Sequence, residues 1–152
     1  MKALRMVTCF LITCTFVLLL LIPGKAQASD LQGLWDVVVY GPPLDGETDP
    51  HEYISTWIVG LGLDEKFIFG ASTWEKYPQY VDRLTGDVEG NKVTIVRYTI
   101  VKNSTYGGKI YVQTYTGTFD GDSTVSGNWT GNGARGQTWD WRATIRENPP
   151  EE

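Results

Sequence analysis

The sequence predicts an all-β domain of about eight antiparallel strands in an up-and-down meander, closed into a barrel, with no substantial helix. Three observations predict it. The closing stretch, 111–145, reads YVQTYTGTFDGDSTVSGNWTGNGARGQTWDWRATI: three runs rich in aromatic and β-branched residues, punctuated by DGDS at 120–123 and GNGARG at 131–136, where small residues tolerate positive φ. Its last run alternates with a period of two, placing Trp139, Trp141, Ala143 and Ile145 on one face and Thr138, Asp140, Arg142, Thr144 and Arg146 on the other, as a half-buried strand requires. Upstream, most runs are joined by hairpin-length links, which favours a meander over a parallel α/β fold, and closure removes the exposed edges.

Taken in order, 31–40 (LQGLWDVVVY) is the first strand, with Leu31, Gly33, Trp35, Val37 and Val39 on its inner face. Residues 41–51 carry Pro42, Pro43 and Pro50 with Gly41 and Gly46, so they form a loop, long for a hairpin and a candidate lid at one end of the fold. A second strand follows over 52–59, a turn over 60–65 and a short third strand over 66–69. The segment 71–80 (ASTWEKYPQY) reads as an irregular aromatic connection because Pro78 sits among Trp74, Tyr77 and Tyr80. A weak fourth strand spans 81–88, Glu89-Gly90-Asn91 turns the chain, and 92–101 (KVTIVRYTIV) is the most β-prone run. The turn at 103–108 leads into the closing meander. The tail, 147–152 (ENPPEE), is acidic, proline-bearing and expected to be disordered.

Residues 1–28 differ from the rest. Lys2 and Arg5 precede an apolar run from Met6 to Ile22, followed by Ala26-Gln27-Ala28, which predicts a secretory signal cleaved after Ala28 and a single domain over 29–146. The apolar run is also long enough for a retained anchor, and LITC at 11–14 loosely resembles a lipidation box. The expected localisation is secreted or periplasmic. Both cysteines, Cys9 and Cys14, lie in this segment, so the domain has neither a disulfide nor a thiol to use. Lys2, Arg5 and Lys25 are the segment's only charges, so cleavage takes the net charge from −5 to −8. That balance argues against nucleic acid and anionic membrane surfaces as partners, since phosphate binding needs a basic footprint.

At Gly33-Leu34-Trp35, a Gly-x-Trp on the first strand of a small secreted meander resembles the calycin group, which includes lipocalins and avidins. The resemblance implies a barrel whose tryptophan, here Trp35, closes one end while a basic residue of the last strand, Arg142 or Arg146, packs across it. Both arginines lie opposite Trp139 and Trp141 in the alternation, so inward tryptophans leave them outside. There is no Thr-Asp-Tyr motif of the lipocalin kind, and no full set of biotin-contacting residues can be placed. Fold likeness of this sort does not transfer function.

The chemistry-bearing residues point to binding and not to catalysis. The single histidine, His51, lies in the Pro/Asp-rich loop, and with no cysteine in the domain a Ser-His-Asp site would have to be built on that one residue; a pair of the many carboxylates could do glycosidase work only at a separation in space that sequence does not supply. Asp45, Glu47 and Asp49 alternate in that loop but match no calcium-binding template, so they read as a solvated acidic loop; Asp120 and Asp122 read as turn formers. Neither a metal nor a cofactor is expected. The excess is aromatic: all six tryptophans and eight tyrosines fall after residue 28. Trp35, Trp139 and Trp141 are assigned to the core. Trp74, Tyr77 and Tyr80, with Trp57, Tyr98 and Tyr115, are candidates for ligand contact, because aromatic rings beside polar groups offer large apolar area and stacking. Thr56, Arg97, Thr114 and Thr116 either line a semi-polar cavity or face solvent.

Two functions lead, with an enzyme third because no complete acid–base constellation is visible. One is a barrel holding a small apolar or aromatic molecule beneath the 41–51 loop, which requires a cavity. The other is a protein- or glycan-interaction module with a filled barrel and an exposed aromatic patch.

Overall fold

The computed structural model describes residues 28–101 and 109–146, and in it the chain forms a closed barrel of eight antiparallel strands in sequence order. They are β1 (Gly33–Gly41), β2 (His51–Leu61), β3 (Phe67–Trp74), β4 (Tyr77–Glu89), β5 (Lys92–Val101), β6 (Lys109–Phe119), β7 (Thr124–Gly131) and β8 (Trp139–Arg146). β8 closes the ring against β1, with Trp35 opposite Ile145 and Val39 opposite Trp141. A single 3-10 turn, Ala28–Leu31, precedes β1, and the described residues contain no α-helix. The expected leader up to residue 27, the 103–108 turn and the 147–152 tail lie outside the described residues.

The up-and-down order sends every odd-numbered strand the same way, so the links sort into two ends. At one end lie the turns 62–66, 90–91 and 120–123, together with the 3-10 turn. There Leu31 is fully buried and its carbonyl accepts the Trp35 indole N–H at 2.9 Å, which plugs the barrel. The 120–123 turn is held by Asp120, whose Oδ1 accepts backbone N–H groups of Asp122, Ser123 and Thr124 at 3.0–3.2 Å; those bonds keep its carboxyl below the usual range. At the other end lie 42–50, Glu75-Lys76 and 132–138. Among the described residues this second end is open.

The segment read as an irregular connection is instead strand. β3 runs on to Trp74, Glu75-Lys76 turns the chain, and β4 starts at Tyr77. Pro78 is tolerated because the register slips there: Trp74 pairs with Tyr77 but Thr73 pairs with Val81, so residues 78–80 bulge out of the ladder and need no N–H donor at Pro78. Gly86 has a different role. A methyl group on it would collide with the Thr94 carbonyl oxygen of the paired strand, and Gly127 meets Thr116 in the same way, so the barrel draws its strands together where no side chain intervenes.

The inner face is filled from the plugged end to mid-height by rings in contact. Trp57 stacks on Trp35 (6.3 Å, 15°) and on Trp141 (5.6 Å, 22°), while Tyr115 meets Trp57 and Trp141 edge-on at 5.0 and 5.5 Å. All four are at most 1% exposed. Their polar atoms are used: Trp57 Nε1–H donates to Ser55 Oγ, whose hydroxyl donates to Thr73 O, and Trp141 Nε1–H donates to Thr116 O. Below them Ile68, Leu84, Val93, Phe119 and Val125 complete the core.

Several expectations are corrected here. Trp57 and Tyr115, both fully buried, stand in the core beneath the open end and do not line it. Tyr98 stands on the outer face of β5 beside Arg83 and Val112 and faces away from the interior. Arg142 and Arg146 do not pack across Trp35. As the alternation of β8 requires, both point outward, and Arg146 forms a two-pronged ion pair with Asp36 of β1 that lowers the Asp36 pKa. Gly33 and Trp35 do occupy the closing end. Thr56, Thr114 and Thr116 are on the outer face; Arg97 is inside.

Candidate functional site

Above the ring layer the barrel opens into a cup of about 360 Å³, at the small end of the ~300–1,000 Å³ typical of small-molecule sites. Its wall is aromatic, contributed by Tyr53, Trp74, Tyr77, Tyr80, Tyr111 and Trp129, with Val39 and Pro42 at the side of the 42–50 loop. Its polar groups are Arg97, Thr99 and Gln113. The alternation places Trp74, Tyr53 and Arg97 inside at this level, because β2, β3 and β5 each present every second residue to the interior.

Arg97 is 4% exposed and Asp82, on the adjoining strand, 1%. Arg97 Nε–H donates to Asp82 Oδ2 at 2.7 Å, Nη2–H donates to the same oxygen and to Thr99 Oγ1, and Nη1–H donates to Gln113 Oε1 at 2.6 Å. The guanidinium also lies over Trp74, 4.1 Å from the ring centre. Gln113 is fixed from both ends: its Oε1 also accepts the Tyr115 hydroxyl at 2.9 Å, and its Nε2–H donates to Asn132 O of the β7–β8 loop. This buried network sets the polar floor of the cup. Among the described residues, Asp82 Oδ1 and its cross-strand neighbour Ser72 Oγ are buried without a protein partner.

Burial raises the Tyr115 pKa from 10.0 to about 12, against a lowering by nearby Arg97. A folded-state pKa above the unfolded one means that the neutral phenol stabilises the fold fully below pH 10 and that this stability is lost as pH rises toward 12. The expected loss is about 3 kcal/mol, at 1.36 kcal/mol for each unit. Alkaline urea titrations check it: Tyr115→Phe is expected to flatten the fall above pH 10.

The structure brings three of the six candidate ligand residues, Trp74, Tyr77 and Tyr80, to the cup; Trp57, Tyr98 and Tyr115 are elsewhere. Tyr77 and Tyr80 form a rim pair with ring centres 6.4 Å apart, 52% and 38% exposed. His51, read as a loop residue, instead begins β2, stacks edge-on against Tyr53 at 4.8 Å, and has one ring nitrogen 3.1 Å from Glu47 Oε2 and the other 3.4 Å from Lys76 Nζ. Glu47 thereby ties the 42–50 loop to the rim. Sequence reasoning missed Tyr53, Tyr111, Gln113, Trp129 and Asp82. The signal for Asp82 was available: an acid sharing the inner face with Leu84 and Val88, next to a strand whose inner face carries Arg97, is a buried pair waiting to be matched.

No family model matches this chain, nor does any curated protein or solved structure. The fold and site define it as a small closed antiparallel barrel, plugged at one end and open at the other onto an aromatic cup.

Proposed function

We propose that the protein is a small-molecule-binding barrel of calycin-like type that works outside the cytoplasm and takes an apolar or aromatic ligand into the open end. The observation that carries this reading is the cup itself: an aromatic wall over a polar floor, in a barrel whose lower half is filled. The fill bounds the ligand. A long acyl chain has no depth to enter, whereas a compact ring system meets stacking surfaces on several sides. Binding is favoured over catalysis because the polar groups lining the cup, Arg97, Thr99 and Gln113, are tied to one another, and His51 is engaged by Glu47 and Lys76 at the rim. The leader-like segment at 1–28 supports the extracytoplasmic assignment.

Native mass spectrometry of the purified protein, followed by unfolding and extraction, tests the proposal. The expected result is a discrete bound mass that leaves on unfolding. A bare protein mass, with no tryptophan fluorescence response to a panel of aromatic and apolar compounds, would move the reading to a protein- or glycan-interaction module. The exposed Tyr77–Tyr80 pair is the feature that favours that second reading.

A further inference from the structure

Resting on that reading, the floor of the cup says which aromatic molecules it takes. We infer that the cup selects neutral, planar aromatic compounds bearing a hydrogen-bond acceptor, such as a carboxamide or ring carbonyl, and discriminates against carboxylates of the same shape. Three observations converge on this.

The first is charge. Among the described residues Arg97 is the cationic group lining the cup, and a cation at the base of an apolar pocket would ordinarily invite an anion. Here the invitation is already answered, since both Nε and Nη2 of Arg97 donate to Asp82 Oδ2 inside the wall. Asp82 also keeps Oδ1 without a protein partner among the described residues, so its negative charge is not spread over further donors. An incoming carboxylate would give up its hydration for a pair that is already neutral and would lie close to a second buried carboxylate.

The second is the supply of donors. Five of the six tryptophans, Trp35, Trp57, Trp129, Trp139 and Trp141, donate their indole N–H to a protein oxygen. Trp74, on the cup wall, donates to none among the described residues. The partners of Arg97 among the described residues use four of its five N–H groups, leaving one on Nη1. Acceptor capacity on the lining is scarcer, because Gln113 Oε1 already takes two donors and the unpartnered Asp82 Oδ1, on a residue 1% exposed, lies behind the wall and not on it. A ligand that accepts hydrogen bonds therefore fits this floor better than one that donates them.

The third is shape. Rings surround the opening, and flat ligands gain from offset stacking on them in a way that globular aliphatic ones do not.

The test is a fluorescence titration of the whole protein with naphthalene, naphthamide and naphthoate, which share a ring system and differ in acceptor and charge. Naphthamide is expected to bind about tenfold more tightly than naphthoate and several-fold more tightly than naphthalene, the latter being the size of one or two net hydrogen bonds. Asp82→Asn unmasks the arginine, and the preference between naphthamide and naphthoate is then expected to shift toward naphthoate by about tenfold. Trp74→Phe, which keeps an aromatic ring but removes the N–H and part of the stacking area, is expected to weaken naphthamide by several-fold more than it weakens naphthalene; equal losses for the two would overturn the role given to the indole N–H, and the variant serves if the Asp82 variant does not fold. Wild-type protein that binds naphthoate as well as naphthamide overturns the inference while leaving the cup standing. Saturable binding by none of the three overturns the cup and the inference with it.

Discussion

Trp57→Ala is expected to cost about 3–5 kcal/mol of folding stability, the usual range for removing a large aromatic side chain from a core. The site makes the upper part of that range the expected one. Trp57 is fully buried, stacks on Trp35 and Trp141, takes Tyr115 edge-on and spends its N–H on Ser55. Those neighbours come from four different strands and are held by the barrel's hydrogen bonds, so they cannot collapse into the void. Against a total stability of roughly 5–15 kcal/mol, such a loss leaves the barrel marginal. Urea unfolding of the variant checks it, with Tyr98→Ala as the companion: Tyr98 is on the outer face and its truncation is expected to cost within about 1 kcal/mol. Were Trp57 instead a ligand contact, its removal would leave stability nearly intact and abolish binding.

Breaking the buried pair is expected to cost as much by another route. Asp82→Ala removes the carboxylate paired with Arg97, 4% exposed, and removing one partner of a buried pair typically destabilises by about 3–5 kcal/mol. The double variant Asp82→Ala with Arg97→Met removes both charges and keeps an apolar stem under Trp74. It is expected to be more stable than Asp82→Ala alone, so the double-mutant cycle should return a coupling of about 1–3 kcal/mol. The outer-face pair of Asp36 and Arg146 provides the contrast. Both its members are about half exposed, and such pairs contribute about 0–1 kcal/mol and fade with added salt. Equal losses from Asp36→Ala and Asp82→Ala would contradict the assignment of Asp82 to the interior.

The two-residue period made some elements legible and left others unreadable, for a reason visible in the barrel. β8 could be read residue by residue because its outer face is entirely polar: Asp140, Arg142, Thr144 and Arg146 alternate with Trp141, Ala143 and Ile145. β2 could not, since apolar residues occupy both faces. Ile54 and Ile58 stand outside, 50% and 63% exposed, while Trp57 and Val59 are buried within. The same ambiguity on β5 let Tyr98 pass for an interior residue although Arg97 is the one inside. The Pro78 segment was misread because proline argues against a regular ladder, and the sequence carries no mark of the bulge that relieves it. The cup itself depends on closure and strand stagger, which bring Tyr53, Trp74, Arg97 and Trp129 together from four strands at one height. Spacing along the chain does not encode that height.

The most direct test of the cup is chemical-shift mapping by NMR with a small aromatic amide. The expected result is saturable shifts at the indole N–H groups of Trp74 and Trp129, at Arg97 and at the Gln113 side-chain amide, with Ile58 and Phe69 on the outer face unmoved. Shifts confined to that outer face, or none at any soluble concentration, would contradict a ligand site at the open end.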